Sequence, residues 1–205
     1  MKKDGGTTSS IPPSLRVFIA IKLPEAVLSR AAAHLESLRA SARDVRISWQ
    51  RAENLHLTLK FLGEIELTKI PALSRALTRA AEQSQQFKLT IEGAGAFPPR
   101  GLPRVLWLGV TDSAGSLGRL QKRIEEECSL EGFEREERPF SPHLTLARVR
   151  APQGARSLAG LHREKGFDAV EFEVDEIYIM RSELGPGGSR YTVLSHHELG
   201  SAPQV

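Results

Sequence analysis

Long apolar runs are missing from this 205-residue chain, and so is all but one cysteine. No stretch approaches the roughly 20 apolar residues that a membrane-spanning helix needs, so the chain reads as having no membrane partner. Lys2 and Lys3 are followed only by the Gly/Thr/Ser stretch from Gly5 to Ser10, which argues against a secretory signal because no apolar segment follows the charges. Cys128 stands alone. It cannot form an internal disulfide, and a reducing cytoplasm is the expected compartment. Metal-ligand spacing is missing too: there is no H-x-x-x-H and no carboxylate cluster beside the histidines. No metal or other cofactor is therefore expected. Strong charge is also lacking. A net charge of +3 and a pI near 9.2, without a Lys/Arg run of five, permit a polyanionic partner but do not identify one.

What is present is the mix of a soluble globular domain, with 40% hydrophobic and 26% charged residues. Residues 1–13, with a Pro12-Pro13 pair, read as a disordered tail, 14–198 as one domain and 199–205 as a C-terminal tail. Strands are expected at Leu15 to Ile21, Val45 to Trp49 and Leu55 to Leu62, then at Phe87 to Ile91 and Val105 to Val110. Others are expected at His143 to Val149, Val170 to Met180 and Tyr191 to Leu194. Helical spacing is found from Pro24 to about Ala40, Leu67 to Gln83, Ser116 to Leu130 and, weakly, Ala155 to His162. The Gly185-Pro186-Gly187-Gly188 stretch reads as a turn. Strands that cluster rather than alternate strictly with helices predict an α+β fold.

One strand sequence occurs twice: Leu55-His56-Leu57-Thr58-Leu59 and Pro142-His143-Leu144-Thr145-Leu146. The repeat predicts two pseudo-symmetric lobes, each giving one strand to a shared groove. Side chains alternate between the faces of a strand. The leucines therefore face a core, while His56, Thr58 and Lys60 in the first copy, and His143 and Thr145 in the second, face a ligand or water. Two imidazoles flanking one phosphorus atom supply a general acid and a general base together. The threonine hydroxyls can donate to the non-bridging oxygens as charge develops. A 2′,3′-cyclic phosphate suits this chemistry, because its ring is strained and its leaving oxygen stays tethered.

With these residues in place, the chain resembles the two-histidine phosphoesterases, whose signature is a doubled H-x-T-x. It is similar in particular to the RNA 2′,3′-cyclic phosphodiesterases of the LigT type. The match runs from Leu15 to Leu194 and includes Arg16 to Ile21, Glu53 to Gly63, Arg104 to Gly109, Arg138 to Arg148 and Arg181 to Leu184. The resemblance implies a bilobal fold with the site in the groove and hydrolysis of cyclic ends to 2′-phosphomonoesters. It also implies reversible 2′-5′ joining of RNA, including tRNA halves. It assigns His56 as the proton donor, His143 as the base and Arg148 as a phosphate contact. Strict alternation puts Arg148 on the face opposite His143, so that contact needs a bulge.

Elsewhere, Phe61 and Trp107 read as core, and Trp49 as a base-stacking or packing residue. His34 and His162 read as surface, Arg123 and Glu125 to Glu127 as a solvated helix face, and Cys128 as a buried hydrophobe. Adjacent His196 and His197 point to opposite faces and cannot chelate from one side. The expected partner is RNA with 2′,3′-cyclic phosphate ends, or cyclic nucleotides, bound by a monomer. Alternatives are ADP-ribose 1″,2″-cyclic phosphate, a 2′,5′-oligoadenylate, or non-catalytic binding of an RNA end.

Overall fold

Alternation decides what each strand buries. In the motif strands Leu57, Leu59, Leu144 and Leu146 are 0–3% exposed, each contributing roughly 1.5–3 kcal/mol of burial. The computed structural model describes residues 13–42, 45–151, 153–185 and 188–200. The expected N-terminal tail (apart from Pro13), most of the C-terminal one, and Pro186 and Gly187 of the expected turn lie outside the described residues.

Among the described residues, nine strands form two antiparallel sheets. One has the order β3-β1-β8-β9 (β1 Ser14–Lys22, β3 His56–Glu66, β8 Glu176–Gly185, β9 Gly188–Glu198). The other has the order β2-β6-β5-β4-β7 (β2 Ile47–Trp49, β4 Phe87–Phe97, β5 Val105–Thr111, β6 His143–Val149, β7 Val170–Val174). Among the described residues, four α-helices complete the fold: α1 Glu25–Ser41, α2 Ile70–Glu82, α3 Ser116–Leu130 and α4 Ala155–Lys165. The α+β expectation holds. Among the described residues no helix is long and apolar enough to cross a membrane.

The repeat is larger than the motif. β1–α1–β3 and β5–α3–β6 are each a strand, a helix and an antiparallel return strand carrying His-Leu-Thr-Leu. The sheets are nevertheless not the two halves of the sequence: β2 pairs with β6, and β8 and β9 complete the first sheet. α2 packs against α3, β8 and β9, and α3 also touches β3, while α4 lies on β4 and against α1. One helix-covered core results, containing Leu35, Leu77, Leu108, Ile124 and Leu158 among others. β3 and β6 come together where the sheets meet.

Several expectations change. Val170 to Met180 is two strands in different sheets, separated at Asp175; uninterrupted alternation concealed the break. β4 runs on to Phe97 through a register shift at Gly93, a glycine with φ +71°. Leu199 is buried and Gly200 bridges to Gln85, so packed chain continues into the expected tail.

His34 and His162 are buried, not on the surface. His162 donates Nε2–H to the Trp107 carbonyl at 3.0 Å, which leaves its Nδ1 to accept from His34 Nε2 at 3.0 Å. This chain ties α1 and α4 to β5. Burial, with His162 and Lys165 nearby, pushes His34 down to about 4. The α3 glutamates are not all solvated, since Glu125 pairs with Lys60 and Glu127 with Arg79. Cys128 is fully buried and its thiol is pushed up to about 12, chiefly by burial, so it is an inert hydrophobe.

Candidate active site

The two histidines are held in the same way. His56 Nδ1 lies 2.8 Å from the carbonyl of Asn54, and His143 Nδ1 lies 2.8 Å from the carbonyl of Ser141. A carbonyl oxygen only accepts, so Nδ1 of each ring carries a hydrogen and points back to residue i−2. Nε2 is left without that bond, able to accept a proton when the ring is neutral and to give one when it is charged. The two segments reach this geometry differently. Pro142 fixes φ before His143, whereas Asn54 donates from Nδ2 to the Ser189 carbonyl at 2.9 Å and so anchors the approach to His56 on β9.

Thr58 and Thr145 follow their histidines on the same faces. Among the described residues, neither hydroxyl has a hydrogen-bond partner, so both are open to a ligand. Just beyond them, both strands bulge. β3 shifts register opposite Ile19 and Ala20, so that Leu59 and Lys60 are both buried. β6 shifts between its pairings with Leu106 and Trp107, so that Leu146 and Ala147 are both buried. Each bulge returns residue i+5 to the histidine face: Phe61 in one copy and Arg148 in the other, both exposed. The phosphate-contact role implied for Arg148 thus has the bulge that it needs.

The same geometry corrects further expectations. Lys60 does not share the face of His56. It is turned into the protein, with Nζ 2.6 Å from Glu125 Oε2 and 2.6 Å from the Glu134 carbonyl, and cannot meet a substrate phosphate. Phe61 is 56% exposed rather than core. Trp107 is half-buried on the face of Thr145, its ring lying over Gly95, where any Cβ would collide with it. Trp49 faces the other way, packed on the core with the Arg39 guanidinium 5.9 Å from its ring, and is not placed to stack a base. His197 is buried between Thr78 and Ser195, while exposed His196 lies beside Tyr178. The pair does face opposite ways.

Aromatic rings wall both imidazoles, and the sequence reading did not single them out. Phe18 and Tyr191 lie 4.7 and 5.0 Å from the His56 ring, and Phe97 lies 5.0 Å edge-on to His143. Phe18 sits in an unbroken apolar strand, where sequence cannot separate the core face from the groove face. Burial pushes His56 below the ordinary histidine value, partly offset by its bond to the Asn54 carbonyl. In the free protein the His56 ring signal should therefore titrate below pH 6.5 by NMR. An added 2′-phosphomonoester should move the midpoint upward, because a nearby anion favours the imidazolium. A midpoint at or above 6.5 in the free protein would contradict the desolvated setting of this ring.

Among the described residues, no group of three or more His, Cys, Asp or Glu could hold a metal ion. β3 and β6 thus carry two Nε2 atoms, two hydroxyls without a partner among the described residues and one exposed guanidinium, a set suited to phosphoryl chemistry.

Known proteins share this organisation. The family model of the 2′-5′ RNA ligase superfamily matches residues 27–186. An RNA 2′,3′-cyclic phosphodiesterase of Thermotoga maritima is 36% identical over 181 residues, covering 88% of this chain and 93% of that protein. One from Methanothermobacter thermautotrophicus is 33% identical, covering 87% and 95%. Among solved structures, a protein of Thermus thermophilus aligns with a TM-score of 0.73 and 30% identity, covering 90% of this chain and 98% of that one. Escherichia coli LigT complexed with 3′-AMP aligns with a TM-score of 0.70 and 29% identity, covering 91% and 99%. The fold, the doubled motif and these relatives agree: the chain belongs to the 2′-5′ RNA ligase superfamily and, within it, to the RNA 2′,3′-cyclic phosphodiesterase family.

Proposed function

We propose that this protein hydrolyses 2′,3′-cyclic phosphate ends of RNA to 2′-phosphomonoesters, with His56 and His143 as its acid–base pair and without a metal. The observation that carries the reading is the matched anchoring of the two imidazoles. Each is fixed through Nδ1 to a backbone carbonyl two residues earlier, so both Nε2 atoms are available for proton transfer. The names of the relatives supply the substrate class.

In the proposed step, His143 Nε2 takes a proton from water and the water oxygen bonds to phosphorus. The bond from phosphorus to O3′ breaks, and His56 Nε2–H delivers its proton to O3′. The order of the two histidines follows the family resemblance. Thr58 and Thr145 donate to the non-bridging oxygens and Arg148 balances their charge. Depressed in the free protein, His56 gains its proton more readily once the phosphate anion enters. With a 5′-hydroxyl in place of water, the same bond changes join two RNA ends through a 2′-5′ linkage.

An assay in excess chelator, with cyclic-phosphate-ended RNA, ADP-ribose 1″,2″-cyclic phosphate and a 2′,5′-oligoadenylate in competition, tests this reading. The RNA ends should be consumed preferentially, along a bell-shaped pH-rate profile. Preferential use of another substrate, or loss of activity in chelator, would count against it.

A further inference from the structure

The charge along β6 does not stop at the proposed phosphate site. His143 and Thr145 occupy the groove face, and the bulge at Leu146 and Ala147 brings Arg148 to that same face. Alternation resumes beyond the bulge: Arg148 is exposed, Val149 half-buried and Arg150 exposed. The neighbouring strand continues the pattern. Ser48 of β2 pairs with Arg148, and the Arg150 amide donates to the Arg46 carbonyl at 2.7 Å. Arg46 and Ser48 are exposed, while Ile47 and Trp49 turn inward against the core. Arg148 and Arg150 therefore follow one another along β6, leading away from the histidine, and Arg46 stands beside Arg150 on the neighbouring strand. Residues two apart on a strand are separated by about 6.6 Å, a spacing that an extended ribose–phosphate chain can follow.

Among the described residues, Arg46, Arg148 and Arg150 have no carboxylate within ion-pair distance. No Asp or Glu occurs in Arg46 to Gln50, Val105 to Thr111 or His143 to Ala151. Other arginines do have such partners, as with Arg79 on Glu127 and Glu131, and Arg138 on Glu136. Exposed, unpaired guanidiniums beside the proposed phosphate site are open to an anionic ligand.

We propose that Arg46 and Arg150 form a track for the phosphates upstream of the reacting end of a single-stranded RNA. The inference rests on the proposed function. A cyclic phosphate terminates the 3′ end of its chain, so every other phosphate of that substrate lies on the 5′ side. A cation beyond the reacting phosphate can meet only those. The track makes the enzyme selective for oligonucleotides over mononucleotides, although the same bond is broken in each.

The test compares wild type with an Arg46→Gln/Arg150→Gln variant in two measurements. Fluorescence anisotropy of a labelled single-stranded octanucleotide ending in a 3′-phosphate reads the track without turnover. The variant should bind roughly tenfold more weakly at low salt, and the slope of log affinity against log salt should flatten by about 1.4, or about 0.7 for each of two phosphates released. Hydrolysis of a cyclic mononucleotide should be unchanged, which also shows that the variant is folded, whereas kcat/KM on a cyclic-phosphate-ended octanucleotide should fall in step with binding. Unaltered octanucleotide binding and salt slope in the variant would overturn the track, as would an equal loss on mononucleotide and octanucleotide. Wild-type protein that opens no cyclic phosphate yet loses RNA binding in the variant would overturn the proposed function and leave the track standing.

Discussion

His56→Ala and His143→Ala should each lower kcat on a 2′,3′-cyclic-phosphate substrate by roughly 10²–10⁴-fold, the range for removing a general acid or base. The double variant should be little worse than either single one, because the two groups act on one transition state. Neither ring anchors the fold. Each is only part-buried, and its polar bond within the protein is the carbonyl contact that orients it. Thermal unfolding of both variants should therefore stay close to wild type. Steady-state kinetics with circular-dichroism melting checks this. Wild-type turnover in either variant would remove the two-histidine mechanism.

The second large effect concerns stability. The Lys60 side chain is 1% exposed and its Glu125 partner 12%. Glu125 Oε2 also accepts the Glu136 amide at 3.2 Å. The pair therefore pins the segment that leads to the second motif onto the bulge of the first. Glu125→Ala leaves an ammonium group buried with only the Glu134 carbonyl at hand. The expected loss is about 3–5 kcal/mol, the usual cost of breaking a buried pair from one side. For a domain of this size, that lowers Tm by roughly 10 °C. Replacing both partners, as Lys60→Met with Glu125→Leu, should recover most of the loss, since an apolar pair of similar volume is often neutral. Equal losses in the single and double variants would show that the ion pair is not the source of the effect.

These two predictions mark what sequence could and could not reveal. The doubled His-Leu-Thr-Leu was legible because period-two alternation is a local rule, and Leu57, Leu59, Leu144 and Leu146 obey it. Most element positions were legible for the same reason. Lys60 and Phe61 were misplaced because a bulge reverses alternation, and bulges are set by pairing with a strand distant in sequence, here β1. A trace existed. Offsets of four and five after each histidine give Lys60 and Phe61 in one copy, and Ala147 and Arg148 in the other, so the bulge that Arg148 required applied to Phe61 as well. The buried His34–His162 pair was illegible from either helix alone, because the partners that satisfy the rings lie far off in sequence: His162 for His34, across 128 residues, and the Trp107 carbonyl for His162. The aromatic wall of Phe18, Tyr191 and Phe97 was hidden differently. Its members come from three strands whose faces are settled only when two sheets meet, and an apolar strand carries no mark of which face becomes groove. The repeat suggested sheets built from halves, whereas β2 and β4 join the second sheet and β8 and β9 complete the first.

Product identity tests the central claim most directly. An RNA carrying a 2′,3′-cyclic phosphate end, incubated with the protein in excess chelator, should yield only the 2′-phosphomonoester by phosphorus NMR, at the rate seen without chelator. That outcome fits protonation of O3′ by one histidine while the other activates water. A 3′-phosphomonoester would reverse the leaving-group assignment, and an unopened ring under these conditions would contradict the account.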